Sequence, residues 1–220
     1  ATPQANAALA ELLDKRGFEV VYADGEVCCG SLNLHLGARD KALVNIRQNI
    51  DALAPYLDDV EAVVSTASGC GVTIKDYPRM LMDDAEYAPR AAALVRKFQD
   101  AAQFVTAENL GGRKIDGVRR VAWHAPCTLQ HGQQITGVVE NLLQGAGYEL
   151  LPVADAHLCC GSAGAYSLLE PGLSAELRER KLSALCAHEP DVIATANVGC
   201  QMHLDGTPGV AVRHWLELLQ

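Results

Sequence analysis

The chain has 220 residues, 49% of them apolar, with a formal net charge of −9 and eight cysteines. That length holds one large domain or two of about 110 residues, and the apolar share supports a packed core rather than disorder. The negative balance excludes nucleic acid as the expected partner, because phosphate binding relies on clustered Lys and Arg; no run of about 18 apolar residues is present to cross a membrane.

Thr2 and Pro3 read as the N-cap and first residue of a helix whose apolar positions are Ala8, Leu9, Leu12 and Leu13. The opening residues have neither the basic start nor the apolar stretch of a signal peptide, so a cytoplasmic location is expected. A short apolar strand over 18–21 follows, then a loop carrying Cys28-Cys29-Gly30. Next come a helix over 41–53, a strand over 62–64 and a Gly69-Cys70 turn. One further helix is predicted over 89–105. Gly111-Gly112 and the charged stretch to Arg120 read as a link between halves.

Beyond the link the pattern returns. A strand over 118–123 leads to the turn His124-Ala125-Pro126-Cys127, and a strand over 148–151 precedes Cys159-Cys160-Gly161. A helix over 173–188, a strand over 192–194 and a Gly199-Cys200 turn complete it. The match is in register: Leu12-Leu13 with Leu142-Leu143 at an offset of 130, Cys28-Cys29-Gly30-Ser31 with Cys159-Cys160-Gly161-Ser162 at 131, and Gly69-Cys70 with Gly199-Cys200 at 130. Strands alternating with helices predict an α/β fold of two pseudo-repeated parallel-sheet half-domains flanked by helices, over 1–110 and 111–220. The counterpart of Cys127 falls before Ala1, so the first repeat is expected to be N-terminally truncated, without its first strand and first cysteine.

Vicinal cysteines bridge only through a strained ring, and with no secretion signal the eight cysteines point to metal rather than to disulfides. In α/β units ligands gather outside the carboxyl ends of strands. Although 31 residues lie between Cys127 and Cys159, and 39 between Cys160 and Cys200, each follows a predicted strand and all four converge on one sheet edge. Four thiolates match an iron–sulfur or zinc site. The second-half ligands are therefore Cys127, Cys159, Cys160 and Cys200; the first half offers Cys28, Cys29 and Cys70. Cys186 lies within a predicted helix and reads as a packing residue. His124, His157 and His203 stand near the second set as ligands or as hydrogen-bonding neighbours, with His35 and His131 weaker candidates.

These cysteines resemble the tandem cysteine-rich CCG domains of heterodisulfide reductase B subunits and of iron–sulfur subunits of 2-hydroxy-acid dehydrogenases. The segments 30–37, 67–71, 129–133 and 157–164 are similar, more narrowly, to the glycolate oxidase iron–sulfur subunit family. The resemblance implies one or two [4Fe–4S] clusters, flavin-containing dehydrogenase subunits as partners, and electron delivery to membrane quinones at the inner face of the cell membrane. It also implies a pair of ferredoxin-type motifs that this sequence does not contain, so the isolated chain is expected to be inactive by itself. Where the family pattern ends Cys-x-x-Cys, this chain has Thr73 and His203 in place of the last cysteine. That departure argues for a four-ligand cluster, with His203 nearby, over the five-thiolate cluster that cleaves disulfides in heterodisulfide reductases. A zinc-stapled docking scaffold is the remaining alternative.

Overall fold

The structure is a computed structural model that describes residues 2–108 and 112–219. Helix α1 (Pro3–Asp14) starts at Thr2 with Pro3 in its first turn, as the sequence predicts, and buries Leu9, Leu12 and Leu13. The first half continues through α2 (Ser31–His35), α3 (Arg39–Leu53), β1 (Val63–Ser65), α4 (Ser68–Lys75), α5 (Tyr77–Met80), α6 (Tyr87–Lys97), β2 (Phe98–Asp100) and α7 (Ala101–Ala107). The second half runs β3 (Arg120–His124), a π-helical turn (Thr128–Gly132), α8 (Val138–Gly145), β4 (Glu149–Leu151), α9 (Tyr166–Leu169), α10 (Pro171–Cys186), β5 (Val192–Thr195), α11 (Val198–Leu204), β6 (Ala211–His214) and a 3₁₀ turn, Trp215–Leu218.

Every ladder is parallel. The second half is a four-stranded sheet in the order β4-β3-β5-β6, and the first half pairs β1 with β2. The α/β class and the parallel pairing expected from the repeat are both present. Central strands β3 and β5 carry the near-continuous apolar burial of a sheet covered on both faces.

Three local expectations are revised. The single helix over 89–105 is broken at Phe98–Asp100, which pairs with β1 in the register Val63↔Phe98. Phe98 and Asp100 are buried there, and the Asp100 carboxylate accepts from Ala102 N at 3.0 Å, starting α7 as an N-cap. Tertiary pairing overrides helical periodicity at that point. The two Gly-Cys turns are first turns of helices α4 and α11 rather than loops. Finally, residues 18–22, which correspond to β4, form no strand. Of the predicted link, Gly111 lies outside the described residues; farther on, Lys114 bridges Leu219.

The last revision has a spatial cause. By the repeat β1 matches β5, and in sheet order β2 stands beside β1 as β6 does beside β5, so the place of β3 in the first half lies between residues 18–22 and β1. A cleft of about 580 Å³ is there, lined among others by Leu13, Phe18, Val20, Tyr22, Val63 and Phe104. Among the described residues, none pairs with 18–22 in a ladder.

One hydrophobic cluster draws on both halves, including Leu9, Phe104, Trp123, Leu143 and Trp215. Helix α1 packs on the Trp215–Leu218 turn and α7 on α8. The strand ends meet as well. Ser68 N donates to Ala196 O at 3.1 Å, Gly69 N to Asn197 Oδ1 at 3.3 Å, and His214 Nε2 to Thr66 O at 2.8 Å. The two Gly-Cys helix starts are thus held side by side at the carboxyl edges of both sheets.

Candidate metal centre

Each Cys-Cys-Gly run ends in a glycine with positive φ, +88° at Gly30 and +96° at Gly161. A Cβ on Gly30 would sit 3.2 Å from Ala42 O; on Gly161 it would sit 2.6 Å from Ser174 O. Both glycines are therefore demanded twice, by the left-handed backbone and by the close approach of α3 or α10. That approach presses each cysteine pair against the start of the next Gly-Cys helix.

In the second half this makes four thiols electrostatic neighbours in series: Cys127 with Cys159, Cys159 with Cys160, and Cys160 with Cys200. The neighbouring thiols of Cys127 and Cys160 hold the Cys159 thiol well below its ordinary value, and that of Cys160 lowers Cys200; Cys127 and Cys160 are pushed up by the same neighbours and by burial. Two of the four thus favour the thiolate that binds metal.

Amide donors point at the same sulfurs. Gly161 N donates to Cys159 Sγ at 3.3 Å and Asn197 Nδ2 to Cys200 Sγ at 3.4 Å, while the N–H groups of Ser162 and Thr128 serve Cys160 and Cys127. Sulfur ligands ringed by N–H donors are what an iron–sulfur cluster asks of its protein. The donor set fits a soft, thiophilic metal centre.

A histidine joins this set. His124 ends β3 and is 2% exposed; its ring nitrogen, Cys160 Sγ and Cys200 Sγ all lie within 4.8 Å of one another. Nδ1 shares a 3.0 Å hydrogen bond with Thr195 Oγ1, and Nε2 has no partner. Burial, with the nearby Lys181 charge adding to it, lowers this histidine to about 4, so the ring is neutral near pH 7. Lys181 on α10 is itself only 3% exposed, its Nζ donating to Asp155 O at 2.9 Å and Ala156 O at 3.4 Å. It adds a buried positive charge beside Cys159 and Cys160.

Other histidines go elsewhere. His203 Nε2 meets Ser174 Oγ at 3.3 Å, beside Gly161, and is outside the close donor group. His131 Nε2 donates to the carbonyl of His157 at 3.1 Å, and His35 abuts Gly164. Cys186 packs against the apolar cluster around Leu182 and Leu185, as its helical position predicts.

The first half brings its three cysteines together too, with Cys29 hydrogen-bonded to Cys70 and to Cys28. The bond to Cys70 and burial push the Cys29 thiol up, and Cys70 is lowered. Cys28 is exposed, Cys29 buried and Cys70 half-buried. Among the described residues, the three-donor group of closest approach is the one in the second half.

Asn197, Lys181 and Thr195 escaped the sequence reading. Asn197 is the most informative of them, since its side chain touches Cys200 with its nitrogen and Gly69 with its oxygen. Its place directly before the Val198-Gly199-Cys200 helix start was the available signal.

A doubled parallel α/β unit with cysteine pairs packed against Gly-Cys helix starts is a cysteine-rich domain, and the chain belongs to the CCG cysteine-rich domain family, whose model matches residues 1–75 and 121–205. It is 43% identical over 220 residues to the glycolate oxidase iron-sulfur subunit of Escherichia coli (strain K12), covering 100% of this chain and 54% of that protein. A probable glycolate oxidase iron-sulfur subunit of Bacillus subtilis (strain 168) is 32% identical over 205 residues, 92% of this chain and 46% of the relative. Lactate utilization protein A of Geobacillus sp. (strain WCH70) is 28% identical over 210 residues, 92% of this chain and 84% of the relative. The chain thus spans about half the length of the first two.

Proposed function

We propose that the chain is the thiolate-rich part of an iron–sulfur electron-transfer subunit in a glycolate-class 2-hydroxy-acid dehydrogenase. The observation that supports this is the series of neighbouring thiols Cys127, Cys159, Cys160 and Cys200, with N–H donors at 3.3 Å from Cys159 Sγ and 3.4 Å from Cys200 Sγ. The relatives' names support the substrate class.

In this reading each repeat, 1–110 and 111–220, is one cluster-holding unit. The second holds a [4Fe–4S] cluster through Cys127, Cys159, Cys160 and Cys200, and Cys28, Cys29 and Cys70 serve the first. A bound cluster supplies one-electron chemistry between a flavin subunit and the membrane quinones. The protein's own residues do the rest. Amides of Gly161 and Asn197 steady thiolate charge, Lys181 offsets it, and burial of Cys160 and Cys200 keeps water from their sulfurs. Substrate turnover belongs to the flavin partner, and the working location is the cytoplasm, against the inner face of the membrane. No helix among the described residues is long and apolar enough to cross that membrane.

A zinc-stapled scaffold is the second reading, favoured by one feature: donors within 4.8 Å of one another suit a single tetrahedral ion. The chain purified without oxygen is expected to be brown and to contain iron and acid-labile sulfide. Colourless protein with stoichiometric zinc and neither of these would overturn the cluster reading in favour of the scaffold.

A further inference from the structure

The thiol series accounts for the cysteines that the repeat singles out, yet of the buried polar atoms without a partner, which include Trp123 Nε1, Gln133 Oε1 and Gln201 Oε1, one belongs to the centre itself. His124 Nε2 is enclosed at the end of β3 and hydrogen-bonds to nothing, on a ring that has a nitrogen within 4.8 Å of both Cys160 Sγ and Cys200 Sγ. Buried polar atoms are almost always paired, so an orphan of this kind calls for an explanation. A sulfur acceptor does not provide one, because Nε2 makes no hydrogen bond to either neighbouring sulfur.

The separations fit another partner. Thiolate and imidazole donors sit at about 2.3 Å and 2.0 Å from a zinc-like ion. One metal centred among three atoms that lie within 4.8 Å of each other can therefore reach all of them with small side-chain adjustments. The far side of the ring is already arranged for that role. Nδ1 lies 3.0 Å from Thr195 Oγ1; a proton on Nδ1 donated to that oxygen leaves the Nε2 lone pair free to take a metal. Metal-bound histidines characteristically donate their other N–H to an oxygen in this way, which holds both tautomer and ring plane. Position supports it too, for β3 and β5 are adjacent strands and bring His124 and Thr195 to the same level of the sheet edge, paired in register.

We infer that the second centre is a mixed nitrogen–sulfur site, in which His124 Nε2 ligates metal alongside Cys160 and Cys200. His203, which stands at the position of the family's last cysteine, is not that ligand, since its Nε2 is engaged with Ser174. The inference rests on the cluster reading above and revises its ligand set: His124 takes the place of one of the two thiolates outside that close group, Cys127 or Cys159. Replacing a thiolate with a neutral imidazole removes one negative charge from a cluster and raises its potential, which suits a centre accepting electrons from a flavin.

The test uses the 220-residue chain reconstituted with iron and sulfide without oxygen, natural-abundance or labelled with ¹⁵N-histidine. Electron–nuclear double resonance of the reduced centre is expected to show a strongly coupled nitrogen that changes with the label. The coupling should vanish in His124→Cys while iron content is kept and the midpoint potential falls. A cluster signal with no such coupling, or with coupling unchanged in His124→Cys, overturns this inference alone. A chain that takes up no iron overturns the cluster reading, and a cobalt(II) titration then decides the histidine. Affinity lower by about tenfold or more in His124→Leu, with unchanged circular dichroism, supports ligation by His124; equal affinity for the two proteins overturns it.

Discussion

At Gly161 two constraints meet on one residue, a φ of +96° and a backbone oxygen 2.6 Å from where a Cβ would stand. Relief would require α10 to move away from the Cys159-Cys160 pair, since Ser174 O belongs to that helix. Gly30 has the same φ class, but its nearest oxygen is 3.2 Å away. Gly161→Ala is therefore expected to destabilise by more than about 2 kcal/mol, and Gly30→Ala by roughly 1 kcal/mol. Chemical denaturation of both variants checks the order; equal losses would mean that the close approach contributes nothing. The motif glycines were legible in the sequence for this reason, since a Cys-Cys-Gly repeated in register marks a backbone demand. His124 was legible only as a neighbour. Its orphaned nitrogen and its partner Thr195, 71 residues away, are products of strand pairing.

Among the elements, β6 ties the second half to the first through a single side chain. His214 Nε2 donates to Thr66 O at 2.8 Å and Nδ1 accepts from Leu216 N at 3.3 Å, so the ring is held neutral with both nitrogens used. Burial lowers it to about 4, against an unfolded value near 6.5. Below pH 6.5 the unfolded chain binds a proton that the folded chain refuses, so this contribution is complete above pH 6.5 and is lost as pH falls through 4. His124, lowered to the same value, adds a like term. Between pH 6.5 and 5 the unfolding free energy of the metal-free chain should fall with pH, and in His214→Gln that slope should drop to about half. Thermal or urea melts across the window measure it, and an unchanged slope would remove His214 from the account. Helix boundaries such as Arg39–Leu53 and Pro171–Cys186 followed the sequence reading to within two residues. The β2 interruption did not, because Phe98–Asp100 is extended only by virtue of β1 beside it.

Over the whole molecule, the doubled pattern is unequal. The second half closes a four-stranded sheet, while the first leaves a cleft of about 580 Å³ at the corresponding central place. Residues 18–22 are expected to exchange amide hydrogens far faster than Glu149–Leu151, which are bonded in the β3 ladder. Hydrogen-exchange mass spectrometry compares the two segments within one sample, and equal protection would show that 18–22 has found another partner. The cysteine positions, the register of the repeat and the parallel α/β class were determined by the sequence itself. Periodicity and spacing are local, and a repeat states the same local rule twice. Which cysteines touch, which histidine stands beside them, and that Asn197 spans both Gly-Cys starts were decided by tertiary structure. The physical reason is distance along the chain: Cys127, Cys159 and Cys200 become neighbours only when β3 and β5 pair and α10 presses Gly161 against them.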